Sequence, residues 1–339
     1  MAAAQPIVDA TPFSGRPGLT QGTRLLALLN ASERNVRREF IRLIGRARGI
    51  RTLEQIAQLL EAGLIDEALD VMDEAMPAFA SAIEEAYAAA GASTAGVIRR
   101  NTRSLIEFDR SSGRAVAFTR AERLRLVQQL TGSARETLRG EMQRGLALGE
   151  RPDRIARRFR QSLGLTEHQA QAVENFRQAL INRDRSALDR SLRDRRFDPT
   201  IRRAIASDTA LSSQQIERMT QRYRERFLVH RANTIARTEA LRAIHAGDEV
   251  MWQQAVDNGT VQPEDITTRW VTASDERVRG SHSAMNGQEQ PFGESFRSGS
   301  GNSLRFPGDP SAPGSDTINC RCVLDRTIPP KNPRAFSSQ

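Results

Sequence analysis

Hydrophobic positions recur at helical spacing through most of the chain. Leu25, Leu29, Val36, Phe40 and Leu43 mark the apolar face of a segment from about Gly22 to Arg48, and Arg34, Arg37, Arg38, Arg42 and Arg46 fall on the other face. A second helix is expected to start at Thr52, where Gln55 completes a capping box. Pro77 is expected to kink or split the following helix near Met76, because proline lacks an N–H and its ring clashes with the preceding turn. Thr119 with Glu122, Ser133 with Glu136 and Thr166 with Gln169 repeat the capping spacing, while Pro152 and Pro199 suit first helical turns. Val127/Leu130, Leu138/Met142 and Val173/Phe176/Leu180 supply the apolar stripes. From Ser212 to Asn258 the apolar residues keep helical spacing, as one long helix or two stacked ones, until Asn258-Gly259 stops the run.

The pattern then changes. Thr267 to Thr272 alternates as a strand would, Ser274 is placed to cap a short helix through Ala284, and Asn319 to Arg326 reads as a final strand. Glycine, serine and proline are frequent between them. The expected fold is mainly α with a small C-terminal α+β module, a helical N-terminal region being joined by long helices to a loop-rich mixed unit. The expected organisation is a flexible arm at 1–21, a helical region at 22–211, long connecting helices at 212–258, the α+β module at 259–328 and a proline-rich tail at 329–339.

Charge adds a candidate partner. The net charge of +9 rests almost wholly on arginine, since Lys331 is the only lysine. Between Glu141 and Arg226 there are 19 arginines against 12 acids, with clusters at Arg154, Arg157, Arg158, Arg160 and at Arg190, Arg193, Arg195, Arg196. Neither cluster is interleaved with aromatics, so the functional reading is phosphate contact without base stacking. The alternative is a solvated face with intrachain partners at Asp184, Asp189 and Asp194. Nearer the N-terminus, nine arginines and two acids between Arg16 and Arg51 precede nine acids and no base between Leu53 and Ala90. This suggests an antiparallel hairpin with complementary faces, or two solvated faces that never meet. No window approaches the roughly 18 consecutive apolar residues of a membrane span, and the start lacks a signal-peptide pattern. Two cysteines in a C-x-C make no secreted disulfide framework. The chain is therefore expected to be soluble and made in a reducing cytoplasm.

Short motifs follow one another through the last third. They are Ile235-Ala-Arg-Thr-Glu239, then Trp270 with Asp275-x-x-Val-Arg279-x-x-His282-x-x-Met-x-Gly287, then Phe306-Pro-Gly-Asp-Pro310, then Ile318-Asn-Cys320-Arg-Cys322. In this order, over residues 231–324, they resemble the phage Mu F-like head morphogenesis family, minor head proteins of tailed bacteriophages. The resemblance implies a low-copy, non-enzymatic virion protein inside the phage head, present in the host cytoplasm before assembly. It implies the portal protein and capsid or scaffold components as partners, no membrane, and a role in head morphogenesis that extends to DNA packaging or ejection. Packaged DNA would then meet the arginine-rich helices. In some relatives the module sits beside toxin domains; none is evident in this sequence.

The residues carry chemistry of their own. Cys320 and Cys322, at i and i+2 on a strand, would point to one face, where a disulfide would be strained and two thiolates would suit a soft metal such as zinc. His282 is the candidate third ligand, and Asp275, or else His245, the fourth. If their segment is helical, Asp275, Arg279 and His282 share a face. The plainer alternative packs the cysteines as small hydrophobes and bonds His282 to a loop carbonyl. A hydrolytic alternative makes Cys322 a nucleophile with His282 and Asp275, but nothing flanking it marks a nucleophile turn. No catalytic residue is assigned. The expected binding or structural cluster is Arg237, Glu239, Asp275, Arg279, His282, Asn319 and Arg321, in which Arg237 and Glu239 either anchor the loops or lie on an exposed face. The stiff loop Phe306–Pro310 is read as scaffold. Two other classes stay open: a virion-carried metal- or cysteine-dependent enzyme or toxin-like effector, and a non-specific DNA-binding protein.

Overall fold

The computed structural model describes residues 21–329. The expected arm and tail fall outside these residues, apart from Gln21 and Pro329. The helices are α1 (Gln21–Ile50), α2 (Leu53–Glu61), α3 (Ile65–Ala75), α4 (Pro77–Thr102), α5 (Gly113–Ala147), α6 (Pro152–Ser162), α7 (Glu167–Ile181), α8 (Asp198–Ala206) and α9 (Ser213–Asp257). The α+β part adds β1 (Thr267–Val271), α10 (Gly280–Ser283), β2 (Glu289–Pro291), β3 (Phe296–Arg297), β4 (Ser303–Leu304), α11 (Gly314–Thr317) and β5 (Val323–Thr327). The chain is thus mainly helical with a small C-terminal antiparallel sheet, as its periodicity predicts.

Local chemistry sets the helix ends. Thr52 with Gln55 and Thr166 with Gln169 form complete capping boxes. Pro77 separates α3 from α4 at Met76, and Pro152 opens α6. Thr119 and Ser133 are not caps: both lie inside α5, and the Thr119 hydroxyl donates to the Ala115 carbonyl of its own helix. Such back-bonding lets serine and threonine sit mid-helix, so the capping spacing alone overcounts ends. The expected run at 212–258 is one helix, α9 over Ser213–Asp257, whose start is closed by Ser212 and Gln215 bonding reciprocally. Ser274 opens no helix. Its φ is +52°, helix resumes only at Gly280, and Asp275, Arg279 and His282 therefore share no helical face.

Two compact units share the chain. One comprises Arg38–Ala80 and Arg123–Asn233. Its core gathers Leu165, Val173, Phe176, Leu180, Ile201, Met219 and Tyr223, with Phe40 edge-on to Phe79 at 5.7 Å. Its arginine clusters have internal partners. Arg158 reaches Glu141 and Glu150 at 3.0 and 2.6 Å, and Arg193 reaches Asp198 at 2.9 Å. Buried Asp194 collects Arg196, Arg222 and Arg226 at 2.6, 3.5 and 3.7 Å. Arg154, Arg157 and Arg195 remain exposed.

The other unit comprises Met1–Arg37, Ser81–Glu122 and Thr234–Gln339. Its core holds Ile98, Ile106, Met251, Trp252 and Ile266. Gly247 of α9 has no room for a side chain, since an added Cβ would lie 2.1 Å from the Tyr87 carbonyl oxygen of α4. The sheet order is β2-β1-β5, all antiparallel, with Trp270 opposite Leu324 and Thr268 opposite Arg326. Arg326 is buried in an ion pair with Asp248, which also accepts hydrogen bonds from Gln21 and, at 2.6 Å, from Thr94. This one carboxylate joins the start of α1, α4, α9 and β5. No helix among the described residues is long and apolar enough to cross a membrane.

Candidate functional site

The Ile235–Glu239 run of α9 fastens three neighbouring segments in succession. Arg237 grips Glu33 of α1 through both carboxylate oxygens at 3.0 and 3.1 Å. The Thr238 hydroxyl donates to Thr234 and accepts the Asn319 N–H at 3.1 Å. Glu239 is buried and holds Arg242 at 3.1 Å, and Arg242 donates to the Gly308 carbonyl at 3.2 Å. Arg237 thus ties α9 to the helix α1, whereas Glu239 and Arg242 hold the loop around Gly308. The loop they hold is itself closed by buried Asp309, which accepts from the backbone and side chains of Arg305 and Ser311. Burial raises the Asp309 pKa, but these bonds outweigh it and the net shift is downward.

The cysteines sit in the irregular segment between the turn at Ile318-Asn319 and β5, not on a strand. Asn319 has φ +57°, the Cys320 N–H bonds the Thr317 carbonyl at 3.3 Å, and β5 begins only at Val323. The two side chains nevertheless converge, because the tight turn before β5 carries them both toward α10. Both sulfurs are 3.5 Å from His282 Nδ1, and all three residues are buried. Trp270 of β1 lies edge-on to the imidazole at 5.8 Å. The pair is electrostatically lopsided. A hydrogen bond from Cys322, and then one from His282, holds the Cys320 thiol well below its ordinary range, while the same bond to Cys320 and burial push the Cys322 thiol well above it.

His282 Nε2 faces Asp316 Oδ1 at 3.6 Å. Asp316 is buried and accepts from Ser281, Ser298, Ser300 and Asn302, the last at 2.7 Å. Burial raises its pKa, and bonds from Asn302, Ser300 and Ser281 with the charge of His282 bring it down overall. Asp316 therefore stands where Asp275 was expected. Asp275 is partly exposed and paired with Arg321, outside the cysteine–histidine group. Arg279 points away from the ring to the Asp316 and Ile318 carbonyls, which fixes the turn that carries Asn319. His245 is also outside the group, buried and stacked on Phe306 at 6.5 Å. Beside the cluster is a cleft whose apolar wall includes Leu26, Leu29, Ala273 and Val323 with Cys320, and whose rim includes Asn30, Glu33, Arg237 and Arg321.

The arrangement therefore offers two sulfurs and one nitrogen at a common point, with a carboxylate behind the imidazole. Sequence reasoning missed Thr238, Arg242, Asp248, Asp316 and Arg326. Asp248 left a readable signal. It falls on the Leu241, Ile244, Met251 stripe of α9, where a carboxylate demands a buried partner. A family model described as Phage Mu protein F like protein matches residues 200–325. No curated protein and no solved structure matches the chain.

Proposed function

We propose, proceeding from the similarity of residues 200–325 to Phage Mu protein F like proteins, that this chain is a minor head protein of a tailed bacteriophage. It acts in head morphogenesis as an interaction protein, and its partners are the portal protein and neighbouring capsid or scaffold components. The single observation that carries this reading is the family match, which spans the region where the Ile235–Glu239, His282 and C-x-C motifs interlock. Exposed arginines on the helical unit, such as Arg154, Arg157 and Arg195, suit contact with packaged DNA through phosphates, without sequence preference. The chain would reside inside the head and contribute to packaging or ejection.

An enzymatic second reading has one geometric observation in its favour, since Asp316, His282 and the two cysteines line up in the order of a nucleophile triad. Burial weighs against it. Cys320 and Cys322 are each only 2% exposed, and of the two only Cys320 borders the neighbouring cleft, which leaves a substrate carbonyl little room to reach a sulfur. Co-expression with the portal protein of the same phage tests the proposal. The expected result is a complex that survives size exclusion. A chain that elutes alone, and that shows nuclease or protease activity abolished by His282→Ala, would overturn it.

A further inference from the structure

We infer that His282, Cys320 and Cys322 bind a zinc ion, with Asp316 orienting the imidazole from behind. The inference is independent of the role in the phage head. Three observations carry it. The first is distance. Zinc bonds of about 2.3 Å to sulfur and about 2.0–2.1 Å to nitrogen, meeting at the tetrahedral angle, place sulfur and nitrogen about 3.5–3.6 Å apart. Both Sγ···Nδ1 separations are 3.5 Å, and all three donor atoms lie within 4.8 Å of one another. Both sulfur–nitrogen edges thus have the length that such a tetrahedron requires.

The second observation is the outer carboxylate. A histidine that ligates through one nitrogen characteristically gives its other N–H to a carboxylate, which fixes the tautomer and the ring plane. Asp316 Oδ1 faces His282 Nε2 at 3.6 Å, longer than a hydrogen bond, the nitrogen is buried with no hydrogen-bond partner, and Ser281, Ser298, Ser300 and Asn302 hold the carboxylate where a small approach would supply one. Four hydroxyl and amide groups converging on one buried carboxylate are more than a packed histidine requires. The third is the thinness of the surrounding structure. α10 and α11 are single turns, and β3 and β4 are two residues each, so little regular backbone holds this region together. A tie between α10 and the turn before β5 supplies what such segments lack.

Two thiolates and one imidazole are soft donors, which select zinc over magnesium or calcium. Among the described residues no fourth histidine, cysteine or carboxylate joins the group, so the chain itself supplies three of the four ligands that zinc takes. Binding would displace the remaining thiol protons, with no change in oxidation state.

The test uses the full chain, expressed with zinc, desalted and assayed for metal by mass spectrometry. The expected result is about one zinc per chain, falling to background in the Cys320→Ser/Cys322→Ser double variant. Exchange into cobalt(II) is expected to give an intense near-ultraviolet sulfur-to-cobalt band in the wild type. This reports sulfur ligation even if the double variant fails to fold. Asp316→Asn is expected to keep the stoichiometry while weakening affinity about 10–100-fold in a chelator competition. Asp275→Asn should leave it unchanged. Natively folded wild type that carries no zinc and gives no cobalt–sulfur band would overturn the assignment, as would zinc retained by the double variant.

Discussion

His245 sets a pH dependence that can be worked out from its burial. Its imidazole is enclosed in α9 against Phe306, and burial first, then the charge of Arg326, lowers its pKa from 6.5 to about 3. The native state therefore keeps this ring neutral down to about pH 3, while the unfolded chain takes up a proton as pH falls through about 6.5. Between those values the unfolded state binds more protons, so stability falls with pH. The slope approaches about 1.4 kcal/mol per pH unit, and integrating from pH 7 to pH 5 gives a loss of about 2 kcal/mol from this residue. His245→Gln removes the titration at similar size. Urea melts followed by tryptophan fluorescence suit the measurement, because Trp252 and Trp270, the only two tryptophans, are both buried in the unit that holds His245. The wild type is expected to lose about 2 kcal/mol more than the variant between pH 7 and pH 5. Equal losses would refute the reasoning, since every other titrating group is common to both proteins.

Three further outcomes are expected. Asp248→Ala leaves buried Arg326 with Glu249 as its remaining carboxylate partner and takes the acceptor from Gln21 and Thr94, and should cost about 3 kcal/mol in the same melts; a loss under about 1 kcal/mol would show that Glu249 alone satisfies the arginine. Gly247→Ala drives a Cβ against the Tyr87 carbonyl, a backbone atom that cannot swing aside, and should cost at or above the usual ~1–3 kcal/mol of overpacking. A neutral result in far-ultraviolet circular dichroism melts would mean that α4 and α9 separate freely. Binding to two unrelated DNA duplexes should be equal in affinity and should weaken as salt rises. Arg154→Ala/Arg157→Ala/Arg195→Ala should lower the slope by about 0.9 per lost phosphate contact, whereas a sequence preference or an unchanged slope would remove those arginines from the account.

Much of the fold could be read from the sequence because helices announce themselves locally. The Thr52 and Thr166 boxes, the Pro77 break and the single run from Ser213 to Asp257 rest on residues a few positions apart. Thr119 and Ser133 misled because capping spacing says nothing of where the hydroxyl turns: that of Thr119 bonds back to its own helix and that of Ser133 accepts from Arg231. The candidate site was only half legible. His282, Cys320 and Cys322 stand out by residue type, and their convergence follows from donor chemistry. Asp316 does not stand out. It lies in a Gly-Ser-Asp-Thr stretch that reads as an ordinary turn, and only the loops carrying Ser298, Ser300 and Asn302 make it a buried acceptor. Arg326 hid for the same reason, being 78 residues from Asp248 with nothing local to pair them. Local patterns report elements; the partners of buried charges belong to the tertiary fold.

The location of the chain tests the proposed role most directly. Particles produced from the genome that encodes it can be purified by density, treated with protease, and then opened and examined by peptide mass spectrometry. The chain is expected to sediment with DNA-filled heads at low copy and to be cut only after the head is opened. A chain found solely in the soluble fraction, or digested on intact particles, would contradict it.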